Sequence, residues 1–160
     1  MSFNKLKEYL DSKGARYVTI QHSPAYTAHD VAAQSHISLS QMAKTVIFKA
    51  DDKLVMCIVP ADYWVDCDKL KELTGARYVE LAKEKEFYNR FPFCEVGAMP
   101  PFGDLFGMQS FIDERLLANN FIAFNATKHS VVFDMNLATY LDLANPICVN
   151  LGTITKHKAA

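Results

Sequence analysis
Cysteine is scarce in this chain and scattered where it occurs. Cys57, Cys67, Cys94 and Cys148 form no C-x-x-C pair and no Cys/His cluster of zinc-ligand spacing, so the thiols read as reduced and no metal site is expected. Cys57, inside Leu54-Val55-Met56-Cys57-Ile58-Val59, reads as a small buried hydrophobe with no neighbour that would activate it. A long apolar run is missing too, which excludes a transmembrane helix. Met1 to Lys13 holds no uninterrupted apolar stretch behind a basic start; no signal peptide is expected, and the cytoplasm is the expected compartment. Excess charge of either sign is also lacking. The 17 Lys and Arg against 18 Asp and Glu leave a net charge of −1, and bases alternate with acids in Lys69-Leu70-Lys71-Glu72 and Lys83-Glu84-Lys85-Glu86. Such alternation marks solvated helix faces and argues against a general nucleic-acid binder, DNA included. An RNA partner would be held by a small part only, with Lys156-His157-Lys158 at the end of the chain as one candidate phosphate contact.

What the chain does have is material for one core. At 160 residues it has the length of a single domain, which on folding hides roughly two-thirds of the unfolded surface. Half of the residues are hydrophobic, which excludes a disordered chain. Ser2 caps a helix through about Ser12, with Phe3, Leu6 and Leu10 at helical spacing and Gly14 as its stop. A strand at 16–21 follows. Thr27-Ala28-His29-Asp30 has the S/T-x-x-D/E form of a helix start, and that helix should end near Ile37. The β-rich runs 44–50 and 53–59, joined by Asp51-Asp52, predict an antiparallel hairpin at the centre of the fold. Asp66 starts a helix ending near Gly75. A strand at 77–81, a helix at 82–90, strands at 106–112, 121–125 and 129–135, and a closing helix at 137–144 complete the reading. Interleaved helices and hairpins without a repeat predict an α/β fold: a single compact domain with a mixed, mostly antiparallel sheet surrounded by helices.

Two features depart from what a simple core wants. Lys44 opens a strand on whose face Val46 and Phe48 follow, which sets an ammonium against an apolar side. As structure alone it would sit at the strand end and reach water; as function it is a cation held for an anionic or carbonyl ligand. The second feature is Val96-Gly97-Ala98-Met99-Pro100-Pro101-Phe102-Gly103, a stiff loop carrying exposed-looking Met and Phe side chains. It is either a connecting turn or a rigid frame presenting backbone N–H groups to a carbonyl or an attacking water. The histidines add less. His29 and His36 are two helical turns apart, about 10 Å, too far to share a metal. His22 fits a turn-stabilising role, and Tyr63-Trp64 is either core or a stacking surface for a terminal base.

With these features in this order, the chain resembles the YbaK/prolyl-tRNA-synthetase-associated family of aminoacyl-tRNA deacylases over nearly its whole length. The matching pieces are His22-Ser23-Pro24 with the helix start from Thr27 to Ala33, Ala43-Lys44-Thr45-Val46-Ile47-Phe48-Lys49 with the family's lysine, and Gly97-Ala98-Met99-Pro100-Pro101-Phe102-Gly103 with its G-x-x-x-P loop. Phe111-Ile112-Asp113-Glu114 resembles the family's strand ending in Asp-Glu, and Asn125-Ala126 with His129 its N-A-G-x-H segment. Thr127 and Lys128 depart from it, standing where the family often has glycine and a small polar residue.

The resemblance implies hydrolysis, without metal or cofactor, of the ester joining a small non-cognate amino acid to the terminal ribose of a tRNA. It implies that the Gly97 to Pro101 backbone (Gly97, Ala98, Met99, Pro100, Pro101) holds the carbonyl or the water. Lys44 would hold the acceptor end, and His129 would line the amino-acid pocket and limit its size. Alanine on tRNA for proline is the leading substrate, with serine, cysteine and threonine esters open. The implied partner is the acceptor end of an aminoacyl-tRNA, with a synthetase or an elongation factor as a candidate helper. Two other classes stay open: an inactive module that binds a tRNA end or a synthetase, and a thiol-dependent hydrolase of a non-RNA ester, which requires a cysteine near His129.

Overall fold
The first helix forms as its sequence dictates. The Ser2 hydroxyl accepts from the Lys5 N–H at 3.3 Å and opens α1 (Phe3–Ser12), which buries Leu6 and Leu10. The computed structural model describes residues 1–155, so Lys156-His157-Lys158 lies outside the described residues. β1 (Tyr17–Gln21) leads to α2 (Ala28–Ser35), whose Thr27 cap accepts from the Asp30 N–H at 3.1 Å. α2 stops short of Ile37 because His36 turns left-handed, at φ 58°. The expected hairpin is β2 (Ala43–Ala50) and β3 (Lys53–Pro60), paired antiparallel from Ala43 with Pro60 to Ala50 with Lys53. Its turn is fixed from outside: the Asp51 carboxylate accepts from the backbone N–H groups of Arg77 and Tyr78.

β4 (Trp64–Val65), α3 (Cys67–Thr74) and β5 (Val79–Leu81) follow, with Asp66 capping α3 and Gly75 closing it at φ 68°. The helix expected over 82–90 is only α4 (Glu84–Phe87) with a 3-10 turn, Tyr88–Arg90. Phe87 and Phe91 both turn into the core there, edge to face at 6.1 Å, and Pro92 cannot continue a helix. The strand expected from Phe106 is β6 (Gln109–Asp113), because Gly103–Phe106 is a 3-10 turn closed by Gly107 at φ 67°. β7 (Phe121–Asn125) matches its expected place; β8 (Val131–Asn136), expected over 129–135, begins two residues later, so that His129 lies in the turn before it; and α5 (Leu137–Ala144) matches its expected place. The chain does not close on α5: β9 (Ile147–Val149) and β10 (Gly152–Thr153) follow.

The result is the expected mixed α/β domain, with the strands of the described residues divided among three sheets. The largest runs β5-β2-β3-β6-β9, antiparallel around the hairpin and parallel from β3 to β9; β1-β8-β7 and β10-β4 are antiparallel. The central sheet is covered on both faces, which is why β3 reads as a continuous apolar run rather than an alternation. Ile47, Met56, Ile58 and Ile112 face one core with α1 and α5, while Phe48, Val55, Cys57 and Phe111 face a second with Leu70 of α3 and Leu151. A smaller cluster under α2 joins Val31 and Ala32 to Met42, Ala123 and Val132.

The end of the chain is tied down by one buried charge. Asp113, fully buried at the end of β6, accepts from the N–H groups of Leu151 (2.9 Å), Gly152 (2.5 Å) and Arg115 (2.9 Å), and its partner guanidinium on Arg115 stands at 2.9 Å. Burial pushes the Asp113 carboxyl up, but those backbone and guanidinium hydrogen bonds outweigh it and hold the pKa below the ordinary aspartate value. The tether sets β10 against β4, and β4 carries Trp64.

Candidate functional site
The start of β2, the start of α2 and the Gly97 loop converge on a cavity of about 630 Å³. Lys44 lies in its wall, half-buried, with its Nζ 4.5 Å from the centroid of the Trp64 ring. Burial lowers the Lys44 pKa, and the Asp62 carboxylate, also in the wall, offsets part of that effect. The lysine therefore does not simply reach water at a strand end. It is a desolvated cation facing the cavity beside apolar Ala43, Val46 and Met99.

Gly97 faces the same cavity and has a backbone that glycine suits, at φ 83°. A Cβ on it would stand 3.3 Å from His129 Cε1. Its N–H donates to the Met99 Sδ at 3.3 Å, and a thioether is a weak acceptor, so this donor can be recruited by a better one. The rest of the loop is held from behind. Ala98 N–H donates to Glu95 O, and Thr127 N–H donates to Ala98 O. The Tyr140 hydroxyl donates to Pro101 O at 2.6 Å. Met99 and Phe102, which look exposed in the sequence, are buried; Phe102 packs edge to face on Tyr140 (5.3 Å) and Phe124 (5.6 Å). The loop is stiff through core packing as well as through its prolines.

The sequence-derived residues thus fall into two layers. Lys44, Gly97 and Met99 line the cavity together, while Ala98, Pro100 and Pro101 are buried behind it as the frame of the loop. His129 is buried one layer back and reaches the cavity through Gly97 and Tyr26. Its Nε2 lies 2.6 Å from Val96 O, a carbonyl that only accepts, so Nε2 carries the hydrogen; its backbone N–H donates to the Glu95 carboxylate at 2.9 Å. Thr127, in the place where the resemblance has glycine, holds φ 70° with its hydroxyl buried and without a hydrogen-bond partner. A β-branched residue is strained in that conformation, by about 1–2 kcal/mol.

Tyr26 and Asp62 in the wall carry no signal in the sequence, while Thr27, His29 and Asn125, which belong to the helix start and the segment before His129, line the cavity as well. The capping pattern at Thr27 was the available signal, since it placed a helix start there without saying what the start would face. Trp64 lies in the wall with its ring taken by Lys44, and the Tyr63 ring is taken by Arg115 at 4.7 Å. Among the described residues, no group of three His, Cys, Asp or Glu is placed to hold a metal, and no helix is long and apolar enough to cross a membrane.

Fold and site together define a small α/β domain with one desolvated lysine facing a glycine backbone across an apolar cavity. Residues 22–143 match the family of the aminoacyl-tRNA editing domain, and the chain belongs to that family. Among curated proteins it is similar to the proline–tRNA ligases of Bacillus cytotoxicus, at 40% identity over 74 residues, and of Bacillus cereus, at 38% over 74 residues. Each match takes in 46% of this chain and 13% of the ligase, so the chain spans a small fraction of these relatives. Among solved structures, a hypothetical protein matches with TM-score 0.82 at 20% identity, over 93% of this chain and 99% of its own. A candidate trans-editing enzyme for prolyl tRNA synthetase matches with TM-score 0.79 at 19% identity, over 94% and 96%. These two likenesses carry the fold.

Proposed function
We propose that this chain is a deacylase that hydrolyses the ester of a small amino acid mischarged onto a tRNA, with alanine on tRNA for proline as the first candidate. The observation that carries the reading is the pairing of Lys44 with Gly97 across one cavity, in a chain of the editing-domain family. Cleaving an activated ester needs a placed water and a stabilised oxyanion. In this reading the Gly97 N–H leaves the Met99 sulfur for the ester oxygen as negative charge develops on it. Lys44 holds the acceptor end or the reacting ester as a compact point charge. The ribose hydroxyl next to the ester takes part in moving the proton. Ala98, Pro100 and Pro101 keep the loop in place, and His129 sets the depth of the wall from behind Gly97. Its Nε2 hydrogen is committed to Val96, which fits a wall better than a general base.

A thiol mechanism finds no support in the geometry. None of the four cysteines lines the cavity; burial pushes the Cys57 thiol up and the Cys94 thiol up to about 12, away from the thiolate that chemistry would need. The test is deacylation of a panel of mischarged tRNAs, with EDTA present throughout. Wild type should release one or two small amino acids; Lys44→Ala, which removes the point charge, and Gly97→Ala, which keeps the N–H but sets a Cβ 3.3 Å from His129 on a backbone at φ 83° and so displaces it, should each lose on the order of 100-fold in rate, as for a misplaced reacting group. No cleavage by wild type, or variants equal to it, would leave a binding module as the reading.

A further inference from the structure
We propose that Tyr26 is the stacking platform for the terminal base of the tRNA whose ester enters the cavity, a proposal that rests on the deacylase reading of the site. Tyr26 is an aromatic residue of the wall that is mostly exposed, at 76%. The rings that the sequence offered for this task are engaged elsewhere, Trp64 under Lys44 and Tyr63 under Arg115. Tyr26 is also backed. Its ring lies 5.0 Å from the His129 imidazole, and that imidazole is anchored by Val96 O and touches the place where a Gly97 Cβ would be. An exposed ring on a fixed support, with its remaining surface in solvent at the cavity rim, is what single-stranded RNA sites use to hold a base.

The covalent structure of the substrate sets the spacing. The ester and the terminal base hang on the same ribose, so once the ester is at Gly97 the base lies one sugar away, at the rim. Tyr26 stands there, separated from the Gly97 backbone by the width of one imidazole. The platform needs no positive surface, which fits a chain of net charge −1.

The probe is an acceptor-stem RNA hairpin with 2-aminopurine as its 3′-terminal base, a fluorophore quenched by stacking, and a second dye on the far end to report binding. Wild type should quench the 2-aminopurine on binding. Tyr26→Phe and Tyr26→Trp should keep the quench, and Tyr26→Ala should abolish it and weaken binding on the order of 5- to 100-fold. Tyr26→Leu keeps apolar bulk against His129 without an aromatic face and should behave as Tyr26→Ala. A quench that survives in Tyr26→Ala or Tyr26→Leu, or binding of wild type without a quench, or no binding, overturns the platform. The two readings separate: a Tyr26-dependent quench with no ester cleaved leaves the platform and defeats the deacylase, and cleavage with no such quench does the reverse.

Discussion
Asp113 and Lys44 leave the central sheet at the same end, one strand apart, and meet opposite fates. Lys44 pairs with Val59, and Ile112, just before Asp113, pairs with Ile58 on the same strand. Asp113 is sealed, with three backbone N–H groups and a guanidinium on its two oxygens. Lys44 has a ring face, a nearby exposed carboxylate and an apolar cavity. A buried charge whose hydrogen bonds are complete ties pieces of chain together; one left partly unmet costs stability and is ready for a ligand.

That contrast breaks most visibly at the sealed end. Asp113→Ala should lose about 3–5 kcal/mol of unfolding free energy in urea, because it leaves the N–H donors of Leu151, Gly152 and Arg115 without their acceptor and breaks the ion pair with Arg115. The pKa of Asp113 is depressed in the folded state, so its contribution is present above the ordinary aspartate value and disappears as pH falls through the folded value. Wild type should thus lose stability at acid pH more steeply than the alanine variant does. Equal acid profiles would mean that Asp113 is not the tether.

A smaller effect lies behind the Gly97 loop, where the Thr127 N–H donates to Ala98 O. Thr127→Gly should raise stability by about 1 kcal/mol, since it relieves a β-branched residue at positive φ and removes an unpartnered buried hydroxyl. A lower melting temperature would show that the hydroxyl or the stiffness of threonine matters more than the strain.

The smallest effect sharpens the comparison at its open end. Lys44→Met should raise stability at pH 7 by up to about 1 kcal/mol while abolishing deacylation, the usual sign of a functional charge held against its solvation. The sign follows from the lowered Lys44 pKa: the cost of charging the buried amine is present below the folded value and fades as pH rises past the ordinary lysine value. The gain should therefore shrink in alkaline solution. A methionine variant less stable than wild type at pH 7 would make Lys44 a structural residue.

Much of this was legible in the sequence, and the reason is locality. Ser2, Thr27 and Asp66 cap the helices they were expected to cap, because a cap is a hydrogen bond to an N–H two or three residues on. The hairpin, β7 and α5 follow from runs of apolar residues and the turn between them. Lys44 and Gly97 stood out because each breaks a local rule, a charge on an apolar face and a glycine in a stiff loop.

Other features were decided by contacts between distant parts of the chain. β4, β9 and β10 are two or three residues long and exist only because β10 meets β4 and β9 meets β6. Met99 and Phe102 look exposed in the sequence because Gly and Pro surround them; both are buried, Phe102 because α5 and β7 bring Tyr140 and Phe124 to that place. Tyr26 is the clearest case. Its exposure, its place on the cavity rim and the imidazole behind it arise from residues about a hundred positions away, and no pattern along the chain records them. The sequence by itself determined the helix ends, the hairpin and the two residues that do not fit a plain core, since those follow from hydrogen bonds and periodicity within a few residues. The tertiary structure alone decided which charge is sealed and which is open, because burial is a property of what other segments bring alongside.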